Sequence, residues 1–163
     1  MVYKTACEHG WHETKREFTE IICLIHSELS EALEELRKPG DHDLYYGENG
    51  KPEGFYIEMA DCAIRILDWM GDEGREVELM DVHDIVRQCE ADRVSTIAVT
   101  HLAVSRALES DRKGDADGSA FWLNVGITLI DAQLEAEGRD LTGLIIEKNL
   151  WNKQREYRHG KVF

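Results

Sequence analysis

Four carboxylates on two neighbouring stretches give this chain its clearest chemical signal. Glu28 and Glu31 lie in HSELSEALEELRK, and Glu58 and Asp61 lie in FYIEMADCAIRILDWMG. Each pair is spaced i, i+3, which puts both members on one face of a helix. On the second stretch Glu58, Asp61, Arg65 and Asp68 fall in one stripe at about 100° per residue. The rest of that stretch is apolar nearly all round, as in a buried helix. A buried charged stripe must be paired or must hold a metal. On the first stretch Ile21, Ile25, Leu29, Ala32, Leu33 and Leu36 mark a core face, with Glu28 at its edge and Glu31 further out. Two such edges brought together would repel each other unless a cation sat between them. Oxygen ligands of this kind suit Mg²⁺, with Mn²⁺ as a substitute. The plainer alternative is surface glutamates on the first helix and an Arg65 ion pair on the second.

The C-terminal stretch, EKNLWNKQREYRHGKVF, is the most basic part of the chain. Lys148, Asn152 and Arg155 recur at i, i+4, i+7, one face of a helix. Arginine as a fork, lysine as a point charge and asparagine as a neutral donor suit phosphate oxygens. A solvated helix end would place cations there too. Near the other terminus Trp11 follows His9-Gly10; it could stack on a nucleobase or pack on the core.

These groups must be positioned by helices. The chain has 163 residues, enough for one domain spanning 1–163 with its own core, and only two prolines. Alanine, leucine, isoleucine and glutamate dominate the periodic stretches, so the expected fold class is all-α. Periodicity predicts helices over residues 14–37, 55–70, 76–92, 94–111, 119–137 and 141–158. The connection 39–54 is long and rich in Gly, Asp, Tyr and Asn. A net charge of −14 makes duplex nucleic acid a poor partner. No stretch approaches the roughly 20 apolar residues of a membrane span, and no apolar leader opens the chain. Cys7, Cys23, Cys62 and Cys89 show no C-x-x-C spacing, so a reducing, cytoplasmic setting is expected. His12, His42, His83 and His101 show no zinc-ligand spacing and read as surface or core residues.

The helical order is repeated. His26, Ser30, Ala32, Leu33, Glu34, Arg37 and Lys38 match His101, Ser105, Ala107, Leu108, Glu109, Arg112 and Lys113 at a constant offset. Ile64 to Asp68 matches Ile127 to Asp131, and Gly74-Arg75 matches Gly138-Arg139. Degenerate repeats over about 20–92 and 94–158 are therefore expected. In the second, Ala103, Arg106, Phe121 and Asn124 stand where the first has Glu28, Glu31, Glu58 and Asp61. Only the first half keeps the acids.

With Glu28-x-x-Glu31 followed by Glu58-x-x-Asp61, the chain resembles the all-α nucleoside triphosphate pyrophosphohydrolases, the MazG-like and dimeric dUTPase-like superfamily. The stretches HGW, IHSELSEALEELR, YYGENGKPEGFYIEMADCAIRILD and KNLWNKQREYRHGK carry the resemblance. It implies a four-helix-bundle core and conversion of an NTP and water to NMP and pyrophosphate. It further implies Mg²⁺ on Glu28, Glu31, Glu58 and Asp61, and substrate on Lys148, Asn152, Arg155 and Lys161. Many members of the dimeric dUTPase-like group carry a second glutamate directly before the first ligand. Here that position is Ser27, so water activation falls to the metal, or to Glu31 or Glu35 as base. Such folds often assemble into a homodimer or higher homo-oligomer. Two alternatives stay open: a pyrophosphohydrolase of a related metabolite such as a phosphoribosyl-ATP, and a non-catalytic helical nucleotide sensor.

Overall fold

Apolar residues at helical spacing, stopped by Gly and Pro, fold into six helices among the residues described. The computed structural model describes residues 1–80 and 92–160. The helices are α1 (Val2–Glu8), α2 (Phe18–Arg37), α3 (Phe55–Asp72), α4 (Arg93–Arg112), α5 (Ala116–Ala136) and α6 (Leu141–Asn152). The class is all-α. A minimal hairpin, β1 (Tyr45–Tyr46) and β2 (Pro52–Glu53), pairs antiparallel within the α2–α3 connection.

α3 is the hub, packing against α1, α2, α5 and α6, while α2 packs on α4 and α4 on α5. One core joins Ile25 and Leu29 of α2, Ile57, Met59 and Ile66 of α3, Val104 of α4, Leu123 and Ile130 of α5, and Leu144 of α6. Local chemistry sets the helix ends. Pro39 holds Lys38 extended (φ −71°, ψ 142°), which closes α2. Gly54, at φ 110°, precedes α3, and a Cβ there would sit 2.7 Å from the His42 carbonyl oxygen. That carbonyl and Asp43 O accept from Phe55 N and Tyr56 N at 2.9 and 3.0 Å, satisfying two orphan donors of the first turn. The same turn carries Glu58. Asp92 and Asp140 cap α4 and α6 through their carboxylates. Arg93 ties Asp43 of the connection to Glu137 beyond α5, with Tyr56 between them.

Three expected helices differ. Residues 76–80 are not helical. After Gly74 ends α3 at φ 63°, Glu78 N donates to Asn124 Oδ1 (3.2 Å) and Met80 N to Thr128 Oγ1 (3.1 Å). Side chains of α5 thus take the donors an α-helix would use internally. The remainder of that expected helix, with His83 and Cys89, lies outside the described residues. The last helix ends at Asn152 rather than residue 158. Arg158 turns to φ 46° and its N–H donates to His9 O at 3.0 Å, followed by a 3₁₀ turn at Tyr157–Gly160. α2 starts four residues later than expected, at Phe18 rather than residue 14.

The matched stretches of the two halves meet directly. α2 and α4 are each 20 residues long. His26 Nδ1 and His101 Nδ1 lie 2.7 Å apart with nearly parallel rings. Ser30 and Ser105 hydroxyls donate to the carbonyls of those two histidines, each at 2.8 Å.

Candidate active-site cleft

α2 supplies Glu28 and Glu31, and α3 supplies Glu58 and Asp61, because the two helices pack face to face along their acidic edges. Glu28, Glu31 and Glu58 each offer a carboxylate oxygen within 4.8 Å of the others. Glu28 is 8 % exposed and Glu58 7 %, while Glu31 is open to solvent. Burial, and after it the Asp61 charge, push the Glu58 carboxyl up to about 8. Burial also raises Glu28, against the pull of Arg65. Among the described residues Glu58 makes no ion pair within 4.0 Å. Hard oxygen donors that converge, one of them buried without an ion pair among the described residues, fit Mg²⁺ or Mn²⁺.

The other wall comes from α6 and the turn after it. Lys148, only 4 % exposed, places Nζ 2.6 Å from Asp61 Oδ2. Arg65 donates through Nε (3.0 Å) and Nη2 (2.9 Å) to Glu28 Oε1. Two of the four acids therefore already face a cation, as the plainer sequence reading allowed for Arg65. Among the described residues the buried Asn152 Oδ1 has no hydrogen-bond partner. Arg155 follows in the turn, past the end of α6, so the expected single helical face of Lys148, Asn152 and Arg155 is interrupted.

These side chains line one cleft of about 320 Å³. The structure brings Glu28, Glu31, Glu58, Asp61, Lys148, Asn152, Arg155 and Trp11 to its lining. Glu35 is not among the lining residues. It lies seven residues along α2 from Glu28, about 10 Å along the axis, where it accepts from Lys38 Nζ (2.6 Å) and faces the Tyr45 hydroxyl (3.4 Å). A base in the cleft must come from elsewhere, and Glu31 is the open carboxylate, with Ser27 Oγ donating to it at 3.3 Å. Lys161 lies outside the described residues.

Sequence reasoning missed several lining residues. Lys51 reaches the cleft from the hairpin, and Thr5 and His9 from the N-terminal segment. Asn149, 2 % exposed, donates to Thr5 Oγ1 at 3.1 Å and so ties α6 to α1. Asp68 was visible on the charged stripe of α3 but had no evident partner. In the fold it faces His12 and Arg16, 56 and 52 residues away in sequence. No helix of the described residues is long and apolar enough to cross a membrane. No protein-family model, no curated protein and no solved structure matches this chain.

Proposed function

We propose that the protein is an Mg²⁺-dependent nucleotide pyrophosphohydrolase of the MazG-like, dimeric dUTPase-like kind. On this reading its four-helix core comes from two degenerate repeats, and it works on cytoplasmic nucleotide pools. The supporting observation is the meeting of Glu28, Glu31 and Glu58 within 4.8 Å in a cleft also lined by Lys148, Arg155 and Lys51. An acid cluster facing cations suits a metal-bound polyphosphate better than it suits a scaffold.

Glu28, Glu31 and Glu58, with Asp61 beside them, would hold the ion. Bound there, Mg²⁺ would supply Lewis-acid polarisation of the triphosphate and a lowered pKa for water. Lys148, Lys51 and Arg155 bind the phosphate oxygens and hold the charge that develops on the leaving pyrophosphate. Glu31, exposed at the cleft, accepts the proton of the attacking water. The water oxygen bonds to the α-phosphorus as the bond from that phosphorus to the α–β bridging oxygen breaks. The products are a nucleoside monophosphate and pyrophosphate. Asn152 Oδ1 is left to accept from a hydroxyl of the substrate.

The Glu28–Arg65 and Asp61–Lys148 pairs favour one rival, a non-catalytic nucleotide sensor whose acids are already neutralised. A panel of canonical NTPs and dNTPs, with Mg²⁺ and then EDTA, separates the readings. Metal-dependent NMP plus pyrophosphate is expected. Orthophosphate plus NDP would sink the mechanism. Glu58→Gln is expected to lower turnover by at least a hundredfold with the fold kept; unchanged turnover would remove Glu58 from the mechanism, and no turnover by the folded, metal-loaded wild type would favour the sensor.

A further inference from the structure

The cleft continues past the acids along α3, and its far end has a chemistry of its own. Asp61 and Asp68 are seven residues apart on one stripe of α3, about 10 Å along the axis. Both line the cleft. A nucleotide with its phosphates at Asp61 and its base directed along α3 would reach Asp68. Trp11, 8 % exposed, lines the same cleft.

Asp68 is held in place. Its Oδ1 lies 2.8 Å from His12 Nε2, and its Oδ2 accepts from Arg16 Nη2 at 2.5 Å. His12 is itself fixed by Asp72, 3.2 Å from its Nδ1. The Asp68 side chain is 7 % exposed and that of Arg16 8 %. A carboxylate has about four lone-pair positions, so two acceptor sites remain after these bonds. A carboxylate anchored on two sides cannot swing away from an unfavourable ligand, and as an ionised group it can only accept.

We infer that Asp68 is a specificity-determining residue, selecting nucleotides whose base carries an exocyclic amine over those with a carbonyl at the same ring position. The inference rests on the nucleotide reading of the cleft. An amine donates to Asp68. A carbonyl sets an acceptor against a fixed negative charge. Uracil keeps an N–H, but between two carbonyls, so a carboxylate that meets it also meets their oxygens.

The test compares substrates that differ only at that position: dCTP with dUTP, and dATP with dITP, as kcat/KM in Mg²⁺. The amino member is expected to lead by about tenfold or more in each pair, the size of one hydrogen bond to a charged group. Asp68→Asn, which can donate to a carbonyl, is expected to bring both ratios below about three. Ratios near one in the wild type, or wild-type ratios in a folded Asp68→Asn, would overturn the inference and leave Asp68 as an anchor for the N-terminal segment. Should that variant not fold, N4,N4-dimethyl-dCTP replaces it. Loss of both amine donors is expected to cost the wild type about tenfold, and full retention of rate would overturn the inference. Should no nucleotide turn over, binding of α,β-imido-dCTP and α,β-imido-dUTP decides. Selective binding without turnover keeps the base pocket and removes the hydrolase. Equal binding, or none, removes the base pocket.

Discussion

At the scale of single residues, Glu58 shows how the cleft trades stability for binding. Its folded pKa of about 8 stands above the ordinary 4.5. The folded protein therefore keeps a proton that the unfolded chain releases, and stability falls as pH rises from about 4.5 to about 8, then levels off. Glu58→Gln removes this titration. Without metal, the variant should be more stable than wild type by about 1–3 kcal/mol at pH 8 and close to it at pH 4.5. Thermal melts in EDTA at the two pH values check this, and a variant less stable at pH 8 would mean that Glu58 is already satisfied. The acid half of the cleft was legible in the sequence because charge inside an apolar helix is costly and stands out. Lys51, Asn149 and Asp68 were not legible as cleft residues. Their placement depends on contacts across the chain, such as Asn149 to Thr5 over 144 residues, and no local pattern encodes those. Lys148 was read as a phosphate ligand, but not as the Asp61 partner.

At the scale of elements, the seam between α2 and α4 is a histidine pair. With Nδ1 atoms 2.7 Å apart, one ring must donate and the other accept, so the contact needs a neutral ring at the accepting side. Burial lowers the pKa of both histidines, and His101 lowers that of His26 further. The unfolded chain then takes protons that the folded chain resists, so this seam loses stability as pH falls through about 6.5. Glu28 and Glu58 act with the opposite sign, so a difference measurement is needed. Urea unfolding of wild type and His26→Gln/His101→Gln at pH 7.5 and 5.5 should show the double variant losing less on acidification. Because the rings are half exposed and solvent screens them, the expected difference is about 0.5 kcal/mol. Equal losses would mean that the pair does not titrate in that range. Helices α2 to α5 were readable from periodicity, since each buries a face and ends at Gly, Pro or a capping Asp. The non-helical 76–80 segment was not, because Asn124 and Thr128 of another helix capture its donors. The early end of α6 has the same kind of cause, in the bond from Arg158 N to His9 O.

At the scale of the molecule, the two halves are unequal in what they can bind. In the first, α6 lies against α3 and brings Lys148 to Asp61. In the second, the segment 76–80 lies along α5, gripped by Asn124 at the position matching Asp61, and Met80 packs on Ala103, Val125 and Leu129. The positions that match the acid cleft carry Ala103, buried beneath that segment, and Phe121, exposed, in place of acids. Among the described residues the Glu28, Glu31 and Glu58 group is therefore where a metal is expected. A chain with a net charge of −14 also attracts cations diffusely, and that attraction is screened over about 8 Å at physiological salt. Site binding must therefore be told apart from a general ionic effect. Mn²⁺ at about 100 times its dissociation constant should stabilise the fold by roughly 2.7 kcal/mol. For a domain of this size that is a rise in Tm of about 5–10 °C, kept in 0.3 M NaCl and reversed by EDTA. Glu28→Gln/Glu58→Gln should abolish the rise entirely, because the matching positions of the second half, Ala103, Arg106, Phe121 and Asn124, offer no carboxylate to take the ion over. A shift that survives in the double variant but vanishes in salt would be the diffuse effect alone. One that survives both would put the metal somewhere other than this cleft, and the hydrolase reading would go with it.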